Sequence, residues 1–467
     1  MSGGVRIEHD SLGETAVPEA AYWGAQTGRA VTNFPISGVP LTHYPALLRA
    51  LAMVKQAAAR TNLALGKLAP DKARAIEAAA AEIIAGDLHD QFPVDVIQGG
   101  AGTSTNMNMN EVLANRGLEI LGHRRGDYHA LHPNDDVNLS QSTNDTYPTA
   151  VRLSVLLSSA ALAEALDGLA AAFERKSAET TEIVKLGRTQ MQDAVPMTLG
   201  QELGAFATAI REDIQRLSDA GRLLMEVNLG GTAIGTRINA DPAYGPRAIA
   251  ELAAISGFPL VQSGNLVEAS WDMGAFVMFS GVLKRIATKL SKIANDLRLL
   301  SSGPRGGIGE IALPAVQPGS SIMPGKVNPV IPEVVNQVCF QVIGNDLAIT
   351  LAAEGGQLQL NAFEPLIAHN IHASLMLLTN AITVFRERCV DGLTPRPADC
   401  ARHLEASVGA VTALVPMIGY EAAASLAHEA LASGRTIRAL AREKFSLSDA
   451  VLDDLLNPAR LAATRVG

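Results

Sequence analysis

The chain has 467 residues, 48% of them hydrophobic and 18% charged, which supports a large core and excludes intrinsic disorder. Its net charge of −9, without a basic footprint, excludes nucleic acid and acidic membranes as partners. It leaves open a small anion held by local donors.

Length predicts about three domains at roughly 150 residues each, and aromatics at only 4% call for a closely packed aliphatic core. Cys339, Cys389 and Cys400 are an odd number, widely spaced and without a CxxC pair. That pattern favours reduced thiols in a cytoplasmic chain over a disulfide framework. The opening MSGGVRIEHD has no apolar signal core, and neither secretion nor membrane spanning is expected.

The N-terminal region is broken often by Pro and Gly, and long helical patterns then take over. The first runs from about Pro148 to Lys176. The second, Met197 to Val227, carries Leu199, Leu203, Phe206, Ile210, Ile214 and Leu217 in steps of 4, 3, 4, 4, 3 and starts just after Pro196, a residue suited to a first turn. The third, Trp271 to Leu300, places Phe276, Phe279, Leu283, Ile286, Leu290, Ile293, Leu297 and Leu300 in alternating steps of 3 and 4. That heptad keeps one seam facing a partner helix. A fourth runs from Pro332 to Ala353 and a fifth follows Pro365. No segment sustains period-2 alternation between turns, so strands are minor at most.

The reading is all-α. A helical N-terminal domain (1–142) precedes a central long-helix bundle (143–395) and a small helical C-terminal domain (396–467), entered through GLTPRP at 392–397. Narrow apolar seams on Ala-rich helices also predict oligomerisation through the bundle.

Four polar, Gly- or Pro-marked stretches interrupt the helices: GGAGTSTNMNMNE (99–111), SQSTNDTYP (140–148), GRTQMQDAVP (187–196) and QPGSSIMPGKVNP (317–329). Each is rich in Ser, Thr, Asn and Gln, neutral donors for carboxylate oxygens, and each is expected at a helix boundary, where free N–H groups favour an anion. Any one alone reads as a helix cap. Four together, one with an isolated lysine, read as a composite anion site.

The last stretch is not a phosphate loop. Five residues separate Gly319 from Gly325, and Val327 follows Lys326, where a Walker loop needs four and then Ser or Thr. His369 and His372 have no cysteine nearby and read as packing or capping residues, not metal ligands. No strand precedes Ser320, as a hydrolase nucleophile elbow requires.

GSSIMPGKVNP resembles the signature loop of the aspartase/fumarase superfamily, lyases that expel a group from beside a carboxylate and release fumarate. The resemblance extends in order through all four stretches and over essentially the whole chain. It implies three mostly helical domains, a homotetramer built on the long-helix bundle, and active sites made from loops of three subunits; no cofactor or metal is expected, because the sequence carries no nucleotide or metal motif. The signature loop would be mobile, with its glycines as hinges.

Within the superfamily, QSTND (141–145), GGAGTSTNMN, GRTQMQDAVPMTLGQE and PVIPEVVNQVCFQVIGND resemble the aspartate ammonia-lyases, whereas YWGAQT (22–27) and NDDVN (134–138) resemble class II fumarate hydratases. The balance favours deamination of aspartate, with hydration of fumarate as the alternative. Arg237, in GTAIGTRIN, stands where the family usually has Gly.

By this resemblance Ser320 is the base that takes the Cβ proton. Thr103, Ser142, Thr143 and Ser321 would supply hydroxyls to the β-carboxylate. Lys326 and Asn328 would hold the α-carboxylate, and Asn144, Thr189 and Gln190 would lie near the amino group. Gln190 stands where many relatives have a titrating His, and Arg29 is a weaker candidate for steering substrate. A serine hydroxyl is a poor base unless its pKa is strongly depressed, which closure of the loop could bring about by aiming backbone N–H groups at its oxygen.

Overall fold

The structure, a computed structural model, describes residues 4–463 and is mostly helical. It opens with an antiparallel hairpin, β1 (Val5–Asp10) on β2 (Gly13–Pro18). Helices α1 (Ala25–Asn33), α2 (Pro45–Ala64), α3 (Pro70–Ala85) and α4 (Thr103–Ile120) follow. Both α2 and α3 begin on proline, whose fixed φ and missing N–H suit the first helical position. They pack together on alanines: Ala57 and Ala58 of α2, and Ala79 and Ala80 of α3, are fully buried.

The centre of the chain is five long helices with one shorter one among them: α5 (Thr143–Glu179), α6 (Leu199–Leu223), α7 (Tyr244–Ser256), α8 (Gly274–Leu300), α9 (Val330–Glu354) and α10 (Glu364–Phe385). The expected seam of α8 is real, since none of its eight residues is more than 5% exposed. By composition and length, α5 and α9 also pass for membrane-spanning helices, as core helices of water-soluble proteins do.

Strands are few. β3 (Val184–Thr189) and β4 (Gln192–Thr198) form a second hairpin. Among the described residues two short pairs complete the set, β5 (Glu226–Val227) with β6 (Val261–Gln262), and β7 (Ile311–Ala312) with β8 (Thr394–Pro395).

The chain folds as two compact units. One takes the residues up to 163 together with 215–285 and 341–378; the other takes 164–214, 286–340 and the residues from 379 onward. Each of the five long helices contributes to both. In the second unit, α11 (Pro397–Ala406) is followed by a small core of Leu414, Leu426, Leu440 and Leu452.

Several helix boundaries differ from the sequence expectation by a few residues, and two of the differences have a visible cause. α6 starts at Leu199, not Met197, because Pro196, Met197 and Thr198 pair with Leu186, Lys185 and Val184 as the end of β4. α5 starts at Thr143 and carries Pro148 inside it. Pro148 has no N–H for the carbonyl of Asn144, four residues back, which normally breaks a helix. Here the Asn228 side chain donates to that carbonyl instead, at 3.0 Å, so the orphaned acceptor is satisfied.

The three cysteines are buried free thiols, and burial pushes Cys339 and Cys389 up to about 12. The two histidines serve packing. His369 Nδ1 lies 2.8 Å from the Tyr44 hydroxyl, and His372 Nε2 lies 2.8 Å from Ser154 Oγ. Burial pushes His372 down to about 4, so it is neutral.

Arg237 takes the conformation a glycine would, with φ of 62°. Its amide still closes the turn by donating to Gly231 at 3.0 Å. The left-handed region costs a side chain about 1 kcal/mol. Arg237→Gly is therefore expected to raise the urea midpoint, by up to about 1 kcal/mol in unfolding free energy, and Arg237→Val to lower it. A midpoint lowered by the glycine would show that the turn carries no strain.

Candidate active site

In the first unit, two helix N-termini meet. Gly102 precedes α4 with φ of 87°, and a Cβ there would sit 2.5 Å from the Tyr147 ring on α5. Only glycine permits that approach, and it sets Thr103 beside the start of α5. Ser142, Thr143 and Asn144 lead into that helix.

The anchor of this corner is Asp145, fully buried. One carboxylate oxygen accepts from the Ser142 amide at 3.0 Å, in a capping-box arrangement. The other accepts from the amides of Gly230 (3.0 Å) and Thr232 (2.9 Å). Burial pushes its carboxyl pKa up, against the pull of those amides.

Hydrogen-bond direction separates the candidate hydroxyls. Ser142 Oγ accepts from the Asn144 amide at 3.2 Å, and Thr143 Oγ1 accepts from Asn106 Nδ2 at 3.1 Å. Each thus has a lone pair occupied and its single hydrogen free to donate outward. Thr103 is different: its hydroxyl donates to Gly100 O at 2.7 Å, so it must rotate before it can serve a carboxylate. Asn144 Nδ2 donates to Ala233 O at 2.8 Å, which leaves its carbonyl oxygen as an acceptor.

In the second unit, residues 317–329 form a loop pinned at its neck. The Gly319 amide donates to Lys326 O at 2.8 Å, and Asn328 Nδ2 donates to Gly319 O at 2.7 Å. A Cβ on Gly319 would meet Lys326 O at 2.6 Å, so the neck requires glycine. Asn328 is thus engaged within the loop.

Ser320 Oγ accepts from the amides of Ile322 (3.2 Å) and Met323 (3.0 Å). Two N–H donors on one oxygen favour its charged form over its neutral one. Ser321 and Lys326 are exposed, and Lys326 makes no ion pair among the described residues.

Thr189 and Gln190 are not at a helix boundary, as the sequence reading had it. They lie at the tip of the β3–β4 hairpin, whose two-residue loop is Gln190-Met191, with φ of 53° and 65°. Both central residues of this tight turn are left-handed without glycine. Such backbone conformations persist where the surroundings or a function demand them. Both Thr189 and Gln190 are exposed.

A lyase family described as Lyase matches residues 13–344, and the Fumarase C C-terminus family matches 411–463. The chain is 62% identical to an aspartate ammonia-lyase of Pseudomonas fluorescens, over 99% of this chain and 97% of that protein. It is 51% identical to that of Escherichia coli strain K12, over 98% and 96% of the two chains. Among solved structures, a fumarate lyase:delta crystallin from Brucella melitensis, bound to cobalt, superposes with a TM-score of 0.96 at 62% identity, covering 99% of this chain and 100% of that one. A class II fumarase from Schistosoma mansoni gives 0.93 at 35% identity, covering 98% and 99%. The chain belongs to the aspartase/fumarase superfamily.

Arg29, the weaker candidate, is held by Asp10 through two bonds of 2.7 and 3.0 Å. Three groups escaped the sequence reading. One is the loop after β5, whose Gly230 and Thr232 amides hold Asp145; its glycine density was the available signal. Another is the buried set of Lys55, Asn106 and Asn138 behind Thr143, which no local pattern betrays.

The third surrounds Glu310, just before β7. This fully buried carboxylate pairs with Lys185 at 2.9 Å, Arg188 at 2.8 Å and His403 Nδ1 at 3.1 Å. Burial raises its pKa, but the Arg188 hydrogen bond and the Lys185 charge outweigh that, and the net shift is downward. Lys185 and Arg188 belong to β3, so Glu310 ties the hairpin that carries Thr189 to the strand before the Ser320 loop. Glu310→Gln would leave Lys185 with Glu202 alone, at 2.6 Å, and would take the carboxylate from Arg188. Losing one partner of a buried pair costs about 3–5 kcal/mol, and chemical denaturation should show a loss of that size. A loss under about 1 kcal/mol would mean that the cluster is solvated. Because the folded pKa lies below the unfolded one, this stabilisation is present above the ordinary carboxylate range and fades as pH falls through the folded value.

Proposed function

We propose that this chain is an aspartate ammonia-lyase, a carbon–nitrogen lyase that converts L-aspartate reversibly to fumarate and ammonia. The observation that carries the reading is Ser320, whose oxygen faces two backbone N–H donors within its own loop. Ser320, as alkoxide, takes the Cβ proton and becomes a neutral hydroxyl. The electron pair moves into the β-carboxylate, giving an aci-carboxylate. Ser142 and Thr143, with hydrogens free to donate, stabilise that charge, joined by Thr103 after rotation and by Ser321. Preorganised donors of this kind are the largest catalytic contribution in most such reactions. Lys326 and Asn328 hold the α-carboxylate; Asn144, Thr189 and Gln190 accept from or lie beside the ammonium group.

Collapse of the intermediate breaks the C–N bond, and the pair leaves with nitrogen. An α-ammonium departs as neutral ammonia and needs no acid. Malate would have to expel hydroxide, which does need one. Gln190 cannot carry that proton, so the residue at this position favours nitrogen over oxygen as the leaving atom. The identities point the same way: 51–62% to proteins named aspartate ammonia-lyase against 35% to the class II fumarase.

Assembly as a homotetramer with shared sites is part of the reading. Its support is the face of α9, where Phe340 (61% exposed), Ile343 (37%), Leu347 (61%) and Leu351 (62%) form an uncovered apolar row in steps of 3, 4, 4. On a single chain in water that row is a liability, and a second helix would cover it.

Purified protein should release fumarate, seen by its ultraviolet absorbance, from aspartate without an added cofactor. Malate turning over at a comparable rate would make it a hydratase. Ser320→Ala should fold normally and lose nearly all kcat, since a loop hydroxyl contributes little to a bundle core. Substantial retained kcat would place the base elsewhere. Ser321→Ala should cost less, at most the roughly 2.7–4 kcal/mol of one oxyanion donor.

Thr189→Ala and Lys326→Ala, each nearly inactive, should regain partial activity when dissociated and reassembled together. Hybrid tetramers confirmed by mass but still inactive would mean that each site is built within one chain.

A further inference from the structure

Lys55 lies in α2, and its side chain is fully buried. Its ammonium donates to Asn138 Oδ1 and to Gln141 Oε1, both at 2.9 Å. Asn138 Oδ1 also accepts from Asn106 Nδ2 at 3.2 Å and from Asn110 Nδ2 at 3.1 Å. Three donors on one amide oxygen polarise it and fix its orientation. Asn106 Nδ2 is the same nitrogen that donates to Thr143 Oγ1. Gln141, the other acceptor, immediately precedes Ser142. A lysine without a carboxylate partner at ion-pair distance has thus been buried, at considerable cost, against two amides that lead to the two outward-donating hydroxyls.

Resting on the carboxylate cradle of the preceding section, we propose that Lys55 is a positioning residue: through Asn138, Asn106 and Gln141 its ammonium orients Thr143 and Ser142 toward the β-carboxylate. It also places one buried positive charge behind that cradle. The neutral hydroxyls make the contact, and the charge that balances the aci-carboxylate sits one layer further in.

This arrangement has a thermodynamic signature. Burial lowers the Lys55 pKa from its ordinary value to about 7, against the upward pull of Asp145, the charged group that faces it from α5. The free protein at about pH 8 therefore holds less than a full positive charge there. A dianion in the cradle favours the charged form, so binding takes up a proton.

The test is calorimetric titration of the full-length protein with succinate, which has both carboxylates and no leaving group. It is run at about pH 8 in two buffers of different ionisation enthalpy. Wild type should take up a fraction of a proton per succinate, and folded Lys55→Met none. With aspartate, Lys55→Met should lose about tenfold or more in kcat while KM changes by less than about threefold, because the charge acts on the intermediate. Unchanged proton uptake, or kcat within about twofold of wild type, overturns the proposal.

If Lys55→Met does not fold, Asn138→Asp keeps the acceptor oxygen and cancels the charge. It should lower kcat and abolish uptake, and wild-type values for it overturn the proposal equally. Failure of wild type to bind succinate sinks the cradle reading itself, a result seen before any variant is made.

Discussion

A hydroxyl has one hydrogen, and what the protein does with its lone pairs decides where that hydrogen can go. In the first unit the Asn144 amide fills a lone pair of Ser142, and Asn106 fills one of Thr143. In the second, two amides fill those of Ser320. The first two are left as outward donors. Ser320 is left with an oxygen that tolerates negative charge, so the same device supports both proposed roles, donor in one place and base in another. Thr103, whose hydrogen is spent on Gly100, shows what an uncommitted hydroxyl does when nothing assigns it.

Charge is handled by the same economy. The chain is acidic overall at −9, yet the groups around the candidate carboxylate contacts are nearly all neutral. Three buried ionisable groups are answered in different ways: Glu310 has two cations and a histidine, Asp145 has three amides, and Lys55 has two amide oxygens. Lys326 is left on an exposed loop, where a lysine keeps its hydration until a ligand replaces it.

The long helices were legible because their signal is periodic and local. The α8 seam needed only the spacing of eight apolar residues, and the buried row matches it. The Ser320 loop was legible because three prolines and its glycines forbid both helix and strand. What escaped has a common cause, namely that it is not local. Strand β4 was read as the start of a helix because Pro196 suits a first turn. Its pairing with β3, 184–189, is decided by residues a dozen positions away. The hairpin tip carries neither Asn-Gly nor any glycine, so its turn chemistry was silent. Lys55 is one unremarkable residue in an alanine-rich helix, and its amide partners lie more than eighty positions downstream. The start of α5 at Thr143 was hidden by Pro148, and it needed a side chain from position 228 to make it possible.

The Ser320 loop carries the geometry at its serine within itself. Both donors to its oxygen, Ile322 and Met323, come from the loop itself, as does the neck bond from Gly319 to Lys326. A loop of this kind moves as one piece without losing the geometry at the serine. Its apolar residues Ile322 (83% exposed) and Met323 (47%) face water, though nothing in the loop's own packing needs them. Burying such side chains gains roughly 1.5–3 kcal/mol each. That is enough to favour a closed position once a surface is offered, and too little to hold the loop shut without one. Closure would also exclude water from the two N–H groups, and in a lower dielectric each stabilises an alkoxide more strongly. In the proposed role, Ser320 would therefore be most basic with the loop down, and the exposed apolar pair would supply the drive to bring it there.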